Sequence, residues 1–203
     1  MYTALRATSL TIARFLERQF IADLQLNPLF SGAGGMVVSL NTPHEMQELE
    51  LEGLSVWLYR IVRDENLLNE PPRRVSADQE RRIPLPLRLH YLITPIGAAS
   101  RAHAAETEHA LIGKVLQLFH DQPTLRGPDL EDDFTGTAVE LTMRLETLSL
   151  EETTRVYEAL ARSFQVSVSY ETSVVTILSG LEPLQIAPVL VYAPDYGVVM
   201  EEP

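Results

Sequence analysis

The sequence predicts an α/β (α+β) fold in which a mixed, largely antiparallel sheet is flanked by helices, and three observations predict it. Apolar residues return at helical spacing in three separated stretches, 3–24, 105–123 and 149–164. They alternate with polar residues at period two within 84–97 and 138–148. The order along the chain is helix, strands, helix, strand, helix, strand, without an internal repeat. With 203 residues, 45% of them apolar, there is enough material for one sizeable domain with a real core.

Taken in order, TALRATSLTIARFLERQFIADL (3–24) places Leu5, Ile12, Leu16 and Phe20 on one helical face. Arg6, Arg14, Glu17 and Arg18 fall mostly elsewhere, and Asn27 with Pro28 should end this helix. The glycines of SGAGG (31–35) break the chain before a short apolar run at 36–40, and they lack the spacing of a phosphate-binding loop. GLSVWLYRIV (53–62) sets Leu54, Val56 and Leu58 on one side of a strand and Trp57, Tyr59 and Ile61 on the other. Apolar character on both faces marks a central strand or one covered by a neighbouring chain. The polar segment 63–82, with Pro71 and Pro72, is long for a connection in a compact domain and suits a mobile or partner-contacting loop.

In PLPLRLHYLITPIG (84–97), Leu87, Leu89, Tyr91 and Ile93 alternate with Arg88 and His90. This strand should begin at Pro86 and stop at Pro95 and Gly97, with His90 on its more polar face. AVELTMRLETL (138–148) turns Val139, Leu141, Met143 and Leu145 inward and Glu140, Thr142, Arg144 and Glu146 to water. Ser149 and Glu152 at capping-box spacing open a third helix striped by Val156, Leu160 and Phe164. Val166, Val168 and Tyr170 then alternate with serines before the apolar run 174–178.

Charge and composition exclude several classes of function. Lys and Arg number 16 against 28 Asp and Glu, and the formal charge of −12 argues against nucleic acid as the main partner. The most basic stretch, RRVSADQERR (73–82), carries Asp78 and Glu80 and has no aromatic residue for base stacking, so it reads as a solvated loop. Cysteine is absent, which rules out disulfides, thiolate metal sites and cysteine nucleophiles and fits a reducing compartment. No apolar run approaches the roughly 20 residues that span a bilayer, and polar residues interrupt residues 1–15. A soluble chain made in the cytoplasm, with no membrane insertion, is the expectation.

The stretch richest in chemistry is AETEHALIGKVLQLFHDQP (105–123), with Glu106, Glu108, His109, His120 and Asp121 around one helix. Projected at about 100° per residue, Leu111, Ile112, Val115, Leu116, Leu118 and Phe119 form one apolar arc, with His109 and His120 together at its edge. Eleven residues of rise separate these histidines by roughly 16 Å, too far for one ion with bonds of about 2 Å. His103, Glu106 and His109 lack the HExxH spacing. First-turn carboxylates are expected from the helix dipole alone, and His120 and Asp121 read as end-of-helix polar residues. No nucleophile, oxyanion hole or phosphate loop accompanies them, so no catalytic, cofactor-binding or metal residues are assigned. A small hydrolase or ligand-binding enzyme using Glu106, His109 and His120 is the contrasting hypothesis.

The blocks LYRIVRDENLLNEPP (58–72), LPLRLHYLITPIG (85–97), AETEHALIGKVLQLFHDQPTLRG (105–127) and LETLSLEETTRVYEALARSFQVSVSYETSVVTILS (145–179) occur in an order and spacing that resembles the DUF4255 family, the Pvc16 N-terminal-domain type. The resemblance runs from the first helix to about Ser179. It implies a fold similar to phage tail terminator proteins and a structural role in contractile injection systems, that of a tail terminator or cap. The implied partners are further copies in a homo-oligomer, a hexameric ring, and the sheath and inner-tube proteins of the particle. A cytoplasmic assembly stage would precede release or anchoring. A ring or adaptor at the baseplate end of the same particle is the alternative. In this setting the helix 105–123 becomes a packing and interface helix, with no catalytic motif to carry onto Glu106, His109 or His120.

Two regions are candidates for subunit or tube and sheath contacts. Trp57 and Tyr59 supply a second apolar face on their strand, which makes them either interface anchors or core beneath a helix. The tail LEPLQIAPVLVYAPDYGVVMEEP (181–203) follows a tail-terminator-like domain at 1–179. Pro183, Pro188 and Pro194 forbid a long helix there, while Val189, Val191, Tyr192, Val198 and Val199 form β-prone runs. The segment 180–203 therefore either packs back on its own domain or, the favoured expectation, reaches a neighbour as an extended arm.

Overall fold

The amphipathic N-terminal stretch folds as α1 (Ala4–Ala22). Its buried side holds Ile12, Leu16 and Phe20 as expected, together with Phe15 and the small residues Ala4, Ala7, Thr8, Ser9 and Thr11. Small side chains let the helix lie close to the sheet, and its buried hydroxyls are satisfied: Thr8 Oγ1 donates to the Ala4 carbonyl (2.8 Å), and Ser9 Oγ pairs with the Tyr91 hydroxyl (2.8 Å). The helix stops at Ala22. Asn27 and Pro28 open a second helix, α2 (Asn27–Phe30), rather than closing the first, because proline suits the first helical turn, where its missing N–H costs nothing.

The computed structural model describes residues 2–31, 35–67, 73–76, 78–97, 104–160 and 164–187. After α2 come β1 (Val37–Ser39), α3 (Pro43–Glu48) and β2 (Gly53–Arg63). Then follow β3 (Arg73–Arg74), β4 (Gln79–Arg81), β5 (Leu85–Ile96), α4 (Ala104–Asp121), β6 (Thr124–Arg126), β7 (Glu140–Glu146), α5 (Leu150–Ala159), β8 (Val168–Ile177) and β9 (Leu184–Gln185). Six strands form one curled sheet in the order β1-β2-β5-β8-β7-β6, parallel only between β1 and β2. At the start of β2 the backbone of Gly53 has φ +131° and a Cβ would stand 2.1 Å from the Val37 carbonyl oxygen, so only glycine permits this parallel pairing.

α1 and α4 cover one face of the sheet. Ile12, Phe15, Leu16 and Phe20 from α1 and Leu111, Val115 and Phe119 from α4 meet Leu54, Val56, Leu89, Tyr91, Ile93, Leu141, Met143 and Tyr170 in one core. The rings of Phe15 and Phe119 stack at 5.9 Å, and Phe119 meets Tyr170 at 4.9 Å. Burial pushes the Tyr91 phenol well above its ordinary pKa, partly opposed by its hydrogen bond to Ser9. α3 and α5 lie against the other face: α3 packs on β2 and β5, and the Tyr157 hydroxyl of α5 meets Thr94 Oγ1 at 3.1 Å.

Several elements depart from the sequence reading for identifiable reasons. β5 continues through Pro95 to Ile96 and includes Pro86, because each proline lies beyond the end of one neighbouring ladder: β8 pairs with β5 no further than Ile93, and β2 no further than Leu87. A missing N–H is tolerated at such local edges. A bulge at Tyr59 leaves that residue without an opposite number between the pairs Leu58 with Tyr91 and Arg60 with His90. Ile61 thereby comes opposite Leu89 instead of sharing the side of Trp57, and it is half exposed.

Leu145 shares the side of Leu141 and Met143 yet is 57% exposed. α5 ends at Ala159 with Leu160 as its cap, and its single buried side chain is Tyr157. Phe164 lies beyond the helix, half exposed, with its ring edge against Tyr157 at 5.7 Å. The basic stretch 73–82 is not merely a solvated loop: β3 and β4 pair as a short hairpin, and β9 adds to β4 to make a second sheet of three strands.

Candidate functional site

Strand alternation sorts the chemistry of the sheet onto one side. The face turned from α1 and α4 carries Trp57 on β2, Arg88 and His90 on β5, Ser169 and Glu171 on β8, and Arg144 and Glu146 on β7. Tyr59, freed from the ladder by the bulge, turns its hydroxyl to Ser169 at 3.0 Å. Ser169 Oγ donates in turn to Glu146 Oε2 (2.6 Å), and Glu146 Oε1 meets His90 Nδ1 (2.9 Å). The Tyr59 ring stands edge-on to His90 at 6.3 Å and is tilted against Trp57 at 6.1 Å. Burial raises the Tyr59 phenol, with the Ser169 hydrogen bond acting against it.

A second polar unit adjoins the first. Arg88 Nε donates to Asp64 Oδ2 (2.9 Å), and Arg88 Nη1 lies 3.7 Å from Glu171. The guanidinium of Arg88 holds the nearly buried Asp64 carboxyl below the usual carboxylate range. His90, expected on a polar face, is on that face but buried, only 4% exposed. Trp57 and Tyr59 are half-buried: neither free surface residues nor closed core.

The candidates on α4 do not converge. Glu106, His109 and His120 are exposed at separate points of the helix, and His103 lies outside the described residues. Glu108 has a structural task, accepting the Gly97 N–H at 3.0 Å and so tying the start of α4 to the end of β5. Among the described residues, the one group of three side chains spaced for a metal is His90, Glu146 and Glu171, away from α4. Sequence reasoning missed it because its members lie on three strands. The one available signal was the outward parity shared by His90, Glu146 and Glu171.

α4 instead walls an open apolar groove of about 550 Å³, lined by Leu116, Phe119, His120, Met143, Leu145 and Tyr170. A second hollow of about 330 Å³ shares Leu116 and Leu145 with it and runs toward the start of α5. The exposure of Leu145 follows from this, since α4 does not close over the end of β7.

Of the tail, Leu184 and Gln185 pair with Glu80 and Gln79, and the Ile186 N–H donates to the Asp78 carbonyl at 2.8 Å. Val189, Val191, Tyr192, Val198 and Val199 lie outside the described residues.

With the arrangement of helices on a mixed sheet in place, comparison with known families is decisive: the pattern of the Pvc16 N-terminal domain matches residues 7–190. The chain belongs to that family. The Pvc16 N-terminal domain match passes Ser179 and takes in β9.

Two cryo-EM structures share the fold. One is the sheath/tube terminator of the PVC extracellular contractile injection system in its extended state, with TM-score 0.55 and 14% identity over 91% of this chain and 64% of that one. The other is the tube-terminating cap of the anti-feeding prophage, with TM-score 0.52 and 16% identity over 90% of this chain and 60% of that one. The chain thus spans under two thirds of the length of either. A search of curated proteins gives no match.

Proposed function

We propose that this Pvc16 N-terminal domain chain is a structural subunit that closes the end of the tube and sheath of a contractile injection particle, distal to the baseplate, and ends their growth. The observation that carries the reading is the agreement of fold, over about nine tenths of the chain, with two proteins whose named role is termination. The described surface supports an assembly role over a catalytic one: the helix richest in titratable groups spreads them apart, whereas half-buried aromatics and an open apolar groove sit on the sheet and beside it.

A cap of this kind works as a closed ring, which we take to be hexameric. Head-to-tail contacts around the ring leave no lateral edge, so one ring face can match the last tube or sheath ring while the other offers nothing to a further ring. In this reading Trp57 and Tyr59 contribute to contacts between subunits, and the segment from 188 to the C-terminus reaches a neighbouring subunit or the last ring of tube or sheath as an extended arm. β9 anchors the root of that arm on β4.

The test is imaging of particles assembled with and without the chain. Particles lacking it should show uncontrolled tube or sheath length and no density closing the distal end. Normal ends and lengths would overturn the reading, and a labelled chain found at the opposite end would make it a baseplate-proximal adaptor. Deleting 188–203, which keeps β9, should leave a folded domain that caps poorly; normal capping would remove the arm from the account.

A further inference from the structure

From the cluster on the sheet face opposite α1 and α4, we propose that His90, Glu146 and Glu171 bind one divalent transition-metal ion of the zinc class, which staples three adjacent strands. The proposal goes beyond the capping role and does not depend on it. His90 on β5 stands directly opposite Glu171 on β8, and Glu146 on β7 stands opposite Ser169, one pair further along the same face. Each side chain offers one donor atom, and these atoms all lie within 4.8 Å of one another. Zinc bonds to nitrogen and oxygen of about 2.0–2.2 Å in a tetrahedral site place ligand atoms about 3.4 Å apart. His90 Nδ1 and Glu146 Oε1 already stand 2.9 Å apart, and side-chain rotation would have to bring the remaining spread of up to 4.8 Å to that spacing.

The chemistry of the neighbours favours an ion here. The His90 side chain is 6% exposed, and its hydrogen-bond partner among the described residues is Glu146, itself a member of the ligand set. Glu146 is hydrogen-bonded to His90 and Ser169, neither of which carries a fixed charge. Arg88, the cation nearest Glu171 at 3.7 Å, is held closer by Asp64 at 2.9 Å. Arg60 and Arg144, on the neighbouring positions of β2 and β7, are exposed. One imidazole and two carboxylates suit a borderline divalent ion better than the all-oxygen shells of magnesium or calcium. Ser169 and Tyr59 would orient Glu146 from behind, as outer-shell groups do in metal sites.

The test uses the full chain stripped of metal and titrated with zinc chloride, with uptake read by equilibrium dialysis and stability by the thermal midpoint. Wild type should take up one saturating equivalent with a raised midpoint. His90→Gln and Glu171→Gln should each weaken uptake at least about tenfold, while the double variant His109→Gln/His120→Gln binds as wild type. Should His90→Gln fail to fold, Glu171→Gln, at a partly exposed position, decides. Absence of saturable uptake, undiminished binding by Glu171→Gln, or loss of binding in the double variant overturns the proposal.

Discussion

The two faces of the six-stranded sheet are built from the same strands but solve opposite problems. The face under α1 and α4 is dry and apolar: Leu54, Val56, Leu89, Tyr91 and Ile93 are fully buried, and the Tyr91 phenol is satisfied by Ser9. The other face, only partly covered by α3 and α5, carries a chain of contacts from Tyr59 through Ser169 and Glu146 to His90, with Trp57 half-buried at its side. The first face is specified by shape and its loss is a loss of fold. The second is specified by pairing of polar groups and leaves Trp57 and Tyr59 half-buried. The closed apolar packing resides on one side, and the half-buried aromatics and paired polar groups reside on the other.

The largest effect should therefore come from the dry face. Phe119→Ala removes a ring that touches both Phe15 and Tyr170. Emptying that volume should cost about 3–5 kcal/mol, measured by denaturant unfolding, with the deficit constant from acid to neutral pH, where the neighbouring Tyr170 phenol, raised by burial, stays protonated. A loss under 1 kcal/mol, an order-of-magnitude threshold on the same scale, would mean that the groove beside Phe119 already weakens the core and would erase the contrast between the faces.

Trp57→Ala on the opposite face should cost less, about 1 kcal/mol, because the residue is half-buried and makes its ring contact with Tyr59 rather than with a closed core. The expected product is a folded chain that self-associates poorly, read by circular dichroism beside light scattering. An unfolded chain would put Trp57 in the core and restrict the assembly surface to other residues.

Much of this contrast was legible in the sequence, and what was not has a physical cause. The α1 stripe, the alternation of β7 and the Ser149 and Glu152 capping box all act within a few residues, so local pattern reveals them. The Thr42 and Glu45 box that opens α3 was equally local, a readable signal passed over within 36–53. The bulge at Tyr59 could not be read, because an inserted residue shows only against the partner strand, and it reversed the side assigned to Ile61. β6 and β9 owe their existence to ladders with distant strands, not to their own two or three residues. The pair of His90 and Glu146 joins positions 56 apart in sequence, a separation no spacing rule spans.

A pH series sharpens the comparison further. The Asp64 carboxyl is depressed in the folded chain, chiefly by the hydrogen bond from Arg88. A depressed acid contributes stability that is fully present above its unfolded pKa of about 3.9 and is lost as pH falls through the lower folded value. Wild type should therefore lose more stability between about pH 5 and pH 2 than Asp64→Asn does, although it is the more stable of the two at pH 7. Thermal midpoints across that range give the difference directly. Parallel curves would show that Arg88 and Asp64 do not couple in solution. The Phe119→Ala deficit, by contrast, should remain constant across the same range.

The smallest effect should be that of His109→Ala and His120→Ala, alone or together. Both are exposed on α4. His120 stands at the rim of the groove, where Leu116, Phe119 and Tyr170 provide the lining without it. Exposed substitutions of this kind move stability by less than about 0.5 kcal/mol. Unfolding curves should overlay those of wild type, and particles assembled with the double variant should have normal ends. A folded double variant that fails to cap would move the working surface from the sheet to α4. A metal ion lost from that variant but retained by His90→Gln would reverse the assignment of polar chemistry between the two sides of the sheet, because α4 belongs to the dry face. The two histidines thus serve as the control for everything assigned to His90: the same residue type, placed where the imidazole is exposed.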